Sequence, residues 1–355
     1  MTADLSQGPV CPVPLSHRET IILGHGSGGK LTHELIRTIF GKWLSNPYLD
    51  QGDDSARLPM PDGQLSISTD AHVVKPLFFP GGDIGRLAVC GTVNDVAMLG
   101  AVPLYLTASF ILEEGFAISD LDKIVQSMAD AAREAGITIV AGDTKVVEKG
   151  KADGVYISTT GVGVIPNSRK MQISGSAAQE GDVILISGSL GDHGIAILSA
   201  RNELAFEVAL ESDTAPLNGM IEALLEVAPD VHVLRDPTRG GLATTLIEIA
   251  NQSKVDIAIN EINIPVKEPV KAACEMLGFD PLYLANEGKL IIILPENQAQ
   301  RAIEALRAHP YGRETSMIGR VSSAKDGSPE VTLLTPYGST RMLTMLAGEI
   351  LPRIC

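Results

Sequence analysis

The sequence predicts an α/β (α+β) protein of two domains, and three observations support that fold class. The chain has 355 residues, a length that suggests about two domains, each with its own core. Short apolar runs alternate with helical patterns, and this strand–turn–helix order restarts near residue 170. The composition is 45% hydrophobic but only 4% aromatic, with 35 glycines, which is typical of an enzyme-like α/β chain rather than a disordered or fibrous one.

Four segments are therefore expected along the chain. An N-terminal arm (1–18) precedes a first α/β domain (19–170), a second α/β domain (171–340) and a mobile tail (341–355). The arm is polar and rich in proline, and we find no role for it or for its Cys11.

In the first domain, periodicity and turn residues predict each element in order. Thr20 to Leu23 predicts a short strand that leads into the glycine loop, Gly24 to Gly29. The following helix places six apolar residues on one face, which are Leu31, Leu35, Ile36, Ile39, Phe40 and Trp43. Further strands are expected at 64–70, 104–112, 137–143 and 155–165, with a helix over 83–99. Ser119 and Asp122 predict a capping box for a helix that ends at Gly136.

In the second domain, the same reading predicts five helices and at least three strands. Residues 181–194 predict a strand, a glycine turn and a helix; a helix follows over 216–227, and DPTRGGL (236–242) opens another. Strands near 255–259 and 289–294 flank a helix that Gly278 ends, and residues 304–310 end the last helix. Asp326 and Gly327 predict a hairpin turn.

Net charge and cysteine spacing argue against several functions. A net charge of −15 disfavours nucleic acid and anionic membranes, although Mg²⁺ can bridge an acidic chain to a phosphorylated ligand. The four cysteines form no C-x-x-C pair, which disfavours a zinc site and a disulfide framework; Cys90 and Cys274 are expected to be buried thiols. Without an apolar leader or a membrane-spanning stretch, a soluble cytoplasmic protein is expected.

The glycine loop indicates a phosphate contact, but it matches neither of the common nucleotide motifs. Gly24-x-Gly26-x-x-Gly29 has the dinucleotide spacing, yet no second strand ending in an acid follows the helix. Lys30 is followed by Leu31, where a Walker A loop needs Ser or Thr for Mg²⁺. The loop could act as a flexible flap over phosphates, or it could be a plain turn before a helix.

Five aspartates form the stronger signal. Asp53 and Asp54 lie in a loop, Asp70 ends a strand, Asp95 interrupts an apolar helix beside Asn94, and Asp143 follows an apolar strand. Charge is costly in such places unless something compensates it, and Mg²⁺ bound to a triphosphate would do so. Each aspartate alone would be a cap or a turn residue, but together they suggest a metal–nucleotide site.

Three further charged residues are candidates, and the histidines are not. Arg239 lies beside paired glycines at a helix start, where it could contact an anion or simply be solvated. Lys145 lies two residues beyond Asp143, and Glu287 lies in ANEGK; each is unremarkable alone. The histidines, including His25 and His193, have no ligand spacing and are treated as background.

The chain ends in Cys355, an unusual place for a thiol. Pro352 prevents the tail from continuing a helix, and seven residues beyond Gly348 could span roughly 23 Å. Arg353 favours the thiolate, whereas the α-carboxylate disfavours it. The tail could therefore reach a site elsewhere, or it could be a frayed terminus.

These motifs, in their order and spacing, resemble those of one ATP-binding superfamily. GDDSA, STD, VNDVAMLGA, VAGDTK and DPTRGGL are similar to segments of aminoimidazole ribonucleotide synthetase, selenophosphate synthetase and thiamine-monophosphate kinase. GHGSGGK near the start, NEGK and the terminal PRIC resemble one branch, the carbamoyl dehydratases of hydrogenase maturation. The resemblance covers nearly all of the chain from about residue 19.

The resemblance implies a PurM-like architecture. The first domain would bind ATP and pair with its twin in a homodimer, and the second would end in the mobile tail. Mg²⁺ and phosphate ligands would be Asp53, Asp54, Asp70, Asp95 and Asp143, with Asn94 in support. The nucleotide contacts would also include Gly26, Gly28, Gly29, Lys30 and Arg239.

The resemblance also implies a chemistry for the tail. A partner carbamoyltransferase, HypF, would load a carboxamide onto Cys355, and ATP-dependent dehydration would convert it into a thiocyanate. We expect Lys145 to be the base, with Glu287 as its partner or relay. The cyanide would pass to iron on a HypC–HypD scaffold for the [NiFe] hydrogenase centre. A small-molecule kinase or synthetase of the same superfamily, and a non-catalytic carrier of a tail-bound group, remain the alternatives.

Overall fold

Two large β-sheets, one in each domain, organise the fold, and the short strands Phe78–Phe79 and Gly82–Asp83 of the first domain form a small two-stranded sheet. The computed structural model describes residues 19–59, 61–169, 172–201, 210–324, 328–346, 348, 351 and 353–355. The predicted arm with Cys11, the hairpin turn at Asp326 and Gly327, and Pro352 lie outside these residues.

The first domain builds a four-stranded sheet with helices on one face. Its elements are α1 (Lys30–Leu35), α2 (Gly41–Leu44), β1 (Gly63–His72), β2 (Phe78–Phe79), β3 (Gly82–Asp83), α3 (Ile84–Ala97), β4 (Val102–Glu113), α4 (Ile118–Ala135), β5 (Thr138–Val147) and β6 (Val155–Pro166). The strand order is β1-β6-β4-β5, with β6 antiparallel to both neighbours and β4 parallel to β5. The edge strands β1 and β5 are thus separated by two others.

Alternation along β1 shows that this sheet has one covered and one open face. Ser66 and His72 are buried beneath the helices, whereas Leu65 and Ile67 are 54% and 60% exposed. Because successive side chains of a strand point to opposite faces, the open face carries apolar residues toward solvent.

Helix α3 joins the two domains and is buried on almost every side. Asp83 caps its N-terminus by accepting hydrogen bonds from the N–H groups of Gly85 and Arg86 at 2.7 and 3.1 Å. Near its other end, Asn94 donates to the carbonyl of Ala215 at 3.0 Å and accepts from the N–H of Leu217 at 2.7 Å. Those bonds anchor the first domain to the second.

The second domain builds a seven-stranded sheet. Its elements are β7 (Asp182–Ile186), α5 (Asp192–Ala200), α6 (Asn218–Val227), β8 (Val233–Arg235), α7 (Gly241–Ser253), β9 (Val255–Asn260), α8 (Glu268–Leu277), β10 (Ile291–Pro295), α9 (Glu296–Ala308), β11 (Ser316–Ser323), β12 (Val331–Leu334) and β13 (Thr340–Met342). The strand order is β13-β12-β9-β11-β7-β10-β8. Strands β7 and β10 are continuous apolar runs because α6 and α9 cover one face and α7 covers the other.

Three local predictions in the first domain are wrong. Thr20 to Leu23 is not a strand: Thr20 makes a single bridge to Ala117, and Leu23–Gly26 is one 3₁₀ turn. The capping box is absent, since α4 begins at Ile118 and Asp122 instead accepts from Lys42 and Trp43, which belong to another helix.

The third concerns the helix after the glycine loop. A π-helical turn over Ile36–Phe40 separates α1 from α2 and shifts the helical register. Ile36 is consequently 45% exposed, whereas Leu35 and Ile39 are buried as predicted. Among the described residues, no helix has the length and apolar character needed to cross a membrane.

Candidate active site between the two domains

The chain end lies in a cavity between the two domains, which we call the interdomain cleft. The cavity has a volume of about 750 Å³ and is bounded by β1, α3, residues of the second domain between Arg235 and Glu248, and the tail itself. Cys355 lines the cleft, and Ile354 beside it is only 7% exposed. The described end of the tail is therefore docked rather than frayed.

Four carboxyl groups interact electrostatically beside the cleft, and we call them the acidic cluster: Asp70, Asp95, Asp236 and Glu287. Desolvation, followed by the charge of Asp70, raises the pKa of Asp95, although Ser68 donates a hydrogen bond to it at 2.8 Å. Desolvation and then the charge of Asp95 raise the pKa of Asp236 to about 7. Like charges in low dielectric disfavour the ionised forms of all members.

Glu287 is the most strongly affected member. Its side chain is buried, and Oε1 has no hydrogen-bond partner among the described residues. Desolvation, followed by the charges of Asp236 and Asp213, raises its pKa well above the usual value. Its backbone N–H is held by Asp213 Oδ1 at 3.1 Å, so the residue has a fixed backbone and an unpaired carboxyl oxygen.

The thiol of Cys355 lies within reach of this cluster. Desolvation, and then the charge of Glu287, raises the pKa of the thiol to about 12, against the charge and a hydrogen bond of Arg239. A docked Cys355 is therefore protonated at neutral pH. In this position the sulfur can carry a group, but it is a poor nucleophile.

A second cavity lies beside the glycine loop, and we call it the glycine-loop cavity. It measures about 580 Å³ and is lined by Gly26, Gly28, Asp143 and Lys145, together with apolar residues. A Cβ at Gly26 would approach the N–H of Val146 to 2.9 Å, so the loop packs directly on β5. Lys145 Nζ lies 2.8 Å from Asp143 Oδ2, and this contact lowers the pKa of Asp143.

The two groups of predicted site residues lie on opposite faces of the first sheet. Asp70 lies opposite Thr159 of β6, and this line of cross-strand partners continues over β4 to Gly142 of β5. Asp143 follows Gly142, so its side chain points to the other face of the sheet. Their strands are three spacings apart, roughly 14 Å. Asp143 and Lys145 therefore share the open face with Leu65 and Ile67.

This separation corrects two predictions for a single chain. Lys145 is not the partner of Glu287, because they lie in different places and Lys145 binds Asp143. Nor do the five aspartates gather: Asp53 and Asp54 are exposed loop residues, and the described part of the chain contains no group of three or more His, Cys, Asp or Glu arranged to hold a metal ion.

Other predicted residues are distributed between these places. Gly26 and Gly28 line the glycine-loop cavity, whereas Gly29 and Lys30 are exposed at the start of α1. Arg239 lines the interdomain cleft, as does Asp95. Asn94 is not available to a ligand, because its side chain is bonded to Ala215 and Leu217.

Sequence reasoning missed three residues that shape the cleft. Asp236 belongs to the acidic cluster, Asp213 holds the N–H of Glu287, and the buried His193 contacts the tail. The sequence contains only a weak signal for these three residues, namely that they are polar and follow a buried strand or a glycine turn. Their contact partners lie up to 161 positions away along the chain.

The donor chemistry beside the cleft fits Mg²⁺ only in part. Desolvation, followed by mutual repulsion, raises the pKa values of these carboxyl groups, and a divalent cation would stabilise their ionised form through hard oxygen ligands. The described residues, however, do not arrange three or more such groups around one metal position.

Family models place the chain in a defined class. The N-terminal domain of AIR synthase-related proteins matches residues 52–165, and the C-terminal domain matches residues 179–332. The chain is thus a two-domain AIR synthase-related protein. A carbamoyl dehydratase HypE of Azotobacter vinelandii is 56% identical over 331 residues, which are 93% of this chain and 96% of the relative. The corresponding protein of Escherichia coli strain K12 is 45% identical over 94% of this chain and 99% of its own length. The chain therefore belongs to the HypE family.

Solved structures agree with this assignment. A hydrogenase maturation protein HypE in complex with ATP superposes with a TM-score of 0.90 at 52% identity, covering 95% of this chain and all of that one. A HypE–HypF complex matches with a TM-score of 0.76 at 50% identity, over 90% and 100% of the two chains. Thiamine monophosphate kinase from Aquifex aeolicus, at 19% identity and a TM-score of 0.59, shares the fold alone.

Proposed function

We propose that this protein is an ATP-dependent carbamoyl dehydratase of [NiFe] hydrogenase maturation, which converts a carboxamide on Cys355 into a thiocyanate. The observation that carries the proposal is the docked tail: the last residue of the chain places its sulfur beside Glu287 and Arg239 in the interdomain cleft. A kinase or synthetase acting on a free small molecule has no need of a thiol there. The relatives named carbamoyl dehydratase support the same reaction.

The reaction replaces a poor leaving group by a good one. The amide oxygen of the S-carboxamide attacks the γ-phosphorus of ATP, so a C–O–P bond forms, ADP departs and the nitrogen gives up one proton. The C–O bond then breaks, and phosphate leaves with the electron pair. The nitrogen loses its second proton, and its electrons complete the C≡N bond. The net change is loss of one water from the amide, coupled to the conversion of ATP into ADP and phosphate.

Glu287 is the proposed proton acceptor in the same chain. It is buried, lies close enough to Cys355 to raise the pKa of the thiol, and has an unpaired carboxyl oxygen. Desolvation raises its pKa, and a carboxylate with a raised pKa is a stronger proton acceptor when it is ionised. Arg239, which contacts the sulfur, would stabilise negative charge that develops on the phosphorylated oxygen.

ATP would bind with its triphosphate toward the acidic cluster. When bound, Mg²⁺ would supply the positive charge that allows Asp70, Asp95 and Asp236 to face a triphosphate. The glycine loop lies beside the other cavity of its own chain, so a loop that covers these phosphates as a flap would come from the twin in a homodimer. The HypE–ATP complex among the relatives supports nucleotide binding.

A homodimer would combine the two separated groups of residues. Leu65 and Ile67 make the open face of the first sheet apolar, and this face also carries Asp143 and Lys145. Packing two such faces about a two-fold axis would bury the apolar residues and bring Lys145 of one chain toward the cleft of its twin. In that arrangement Lys145 assists the deprotonation in trans.

The proposed partners follow from what the tail must do. A docked thiol with a pKa of about 12 is a poor acceptor, so loading by a carbamoyltransferase of the HypF type requires an undocked tail. A HypE relative crystallised with HypF supports that partnership. The cyanide would then pass to iron on a HypC–HypD scaffold in the cytoplasm.

Mass spectrometry of the C-terminal peptide tests the function. Protein carbamoylated at Cys355 is incubated with Mg-ATP, and the peptide should lose the mass of one water in the wild type. Cys355→Ala removes the acceptor and should give no product, while ATP binding remains intact. A loaded wild-type protein that consumes ATP without losing water at Cys355 would overturn the proposal.

A further inference from the structure

The end of the tail extends the edge of the first sheet. Val73 N–H donates to an oxygen of the Cys355 carboxylate at 3.1 Å, and Lys75 N–H donates to the carbonyl of Arg353 at 3.3 Å. Because Val73 and Lys75 follow β1, the tail forms a short antiparallel addition to that edge. These contacts recognise the backbone, so they fix the depth to which Cys355 enters the cleft.

Helix α5 of the second domain holds the other side of the tail. His193, in its first turn, contacts the carbonyl of Ile354 through Nε2 at 2.7 Å. Arg201, which follows its last turn, donates from Nη2 to the carbonyl of Arg353 at 2.6 Å and from Nε to the carbonyl of Lys75 at 2.7 Å. One helix thus contacts both the tail and the strand edge on which the tail lies.

The hydrogen bonds around His193 allow only one neutral tautomer. The carbonyl of Ile354 can only accept, so Nε2 must carry the proton and Nδ1 must be the acceptor. Ser212 Oγ, at 2.8 Å, then donates to Nδ1 and accepts from the N–H of Thr214 at 3.2 Å. Desolvation lowers the pKa of this fully buried imidazole, which favours the same neutral form.

Packing adds to this contact. Ile354 is buried and belongs to the same apolar cluster as Ile197, which lies one turn after His193 on α5. The ring of Phe79 packs edge-on against the imidazole, with centroids 5.7 Å apart. His193 is therefore held rigidly before it meets the tail. Because the imidazole is already fixed, the Nε2–H of His193 loses no conformational freedom when the tail docks.

We propose that His193 is the positioning residue of the tail: its Nε2–H holds the Ile354 carbonyl and thereby sets the group on Cys355 beside Glu287 during dehydration. The inference rests on the proposed function for its role in catalysis, but the docking contact itself does not depend on it. Ser212 acts through His193 by fixing its tautomer.

Two substitutions distinguish the roles of the two imidazole nitrogens of His193. His193→Gln places an amide donor near the position of Nε2, whereas His193→Asn reaches only toward Ser212. Cys355 of the unmodified protein is alkylated with iodoacetamide, and the C-terminal peptide is followed by mass spectrometry. Loss of the donor leaves a buried carbonyl unpaired, so His193→Asn should speed alkylation about tenfold, while His193→Gln stays within about twofold of wild type.

His232→Asn is the matched control. His232 is also buried, and its Nδ1 bonds Asp182 at 2.8 Å, a contact that asparagine can keep. The exchange therefore tests the loss of a buried imidazole as such, and Cys355 should be alkylated at the wild-type rate. With carbamoylated protein, His193→Asn should lower kcat for water loss about tenfold at an unchanged KM for ATP, and His193→Gln should restore most of it.

The outcomes separate two claims: that His193 holds the docked tail, and that the protein dehydrates a carboxamide on Cys355. Faster alkylation in His193→Asn alone supports the dock, whatever the catalytic result. Folded Asn and Gln variants that both alkylate at the wild-type rate, or that lose activity equally, would overturn the positioning role. If carbamoylated wild-type protein loses no water at Cys355, the proposed function is overturned. The alkylation rates would then still show whether His193 holds the docked tail.

Discussion

The interdomain cleft and the glycine-loop cavity differ in how completely one chain builds them. The cleft draws residues from both domains and from the tail, and its charged groups are desolvated enough that their pKa values shift strongly. In the glycine-loop cavity, Asp143 and Lys145 remain exposed on an open sheet face and neutralise each other. Under the proposed function, the chemistry would belong to the cleft of one chain, and a second copy would complete the group beside the glycine loop.

The largest expected effect tests the cleft. Glu287→Gln removes the proposed proton acceptor but keeps its volume, so the rate of water loss at Cys355 should fall about 100-fold or more. Nucleotide binding, measured by calorimetry, should be retained because Glu287 lies beside the sulfur. A variant with nearly normal turnover would place the base elsewhere.

Mixed dimers then test whether the two regions act in trans. Chains carrying Glu287→Gln and chains carrying Lys145→Ala are each expected to be impaired. When they are mixed, half of the dimers pair an intact cleft with an intact Lys145 from the twin, which should restore about a quarter of the wild-type rate. If the mixture is no more active than its components, Lys145 acts in its own chain.

A smaller effect is expected at the open face. Ile67 is apolar and 60% exposed in a single chain. Ile67→Asp places a charge at this position, so the dissociation constant of a face-to-face dimer should rise about 30-fold. Sedimentation velocity across a range of concentrations measures the shift. Met276→Asp, at an exposed apolar position on α8, is the control and should not change the oligomeric state.

The smallest expected effect concerns stability and pH. The pKa of Asp236 is raised from 3.8 to about 7, so the folded protein holds this proton more tightly than the unfolded chain, and stability should fall as pH rises from about 4 to 7. Asp236→Asn should remove that part of the slope and stabilise the metal-free protein at pH 8 by on the order of 2 kcal/mol.

Thermal unfolding at a series of pH values from about 4 to 8 measures this change. Asp130→Asn, on the exposed side of α4, provides the baseline for the loss of one carboxylate. A slope that is the same in Asp236→Asn and wild type would show that the acidic cluster does not hold its protons as described.

Local patterns predicted most of the elements, because their causes lie within a few residues. The alternation around Ser66 and the left-handed glycine at Gly136 locate a strand and a helix end without reference to the rest of the chain. The failures arose where tertiary contacts intervened. Asp122 is drawn to Lys42 and Trp43 rather than to a cap, and a π-turn moves Ile36 out of the core.

The sequence by itself determined the fold class and the family resemblance, and it supplied the candidate residues of the proposed chemistry, among them Cys355, Glu287 and the aspartates. Only the tertiary structure decided which of them meet. Pairing across the sheet places Asp70 and Asp143 on opposite faces. His193, which has no ligand spacing in the sequence, contacts the carbonyl of Ile354, 161 positions away. The physical reason is that spacing along a chain encodes local geometry, whereas desolvation, charge coupling and backbone recognition depend on which distant surfaces are brought together.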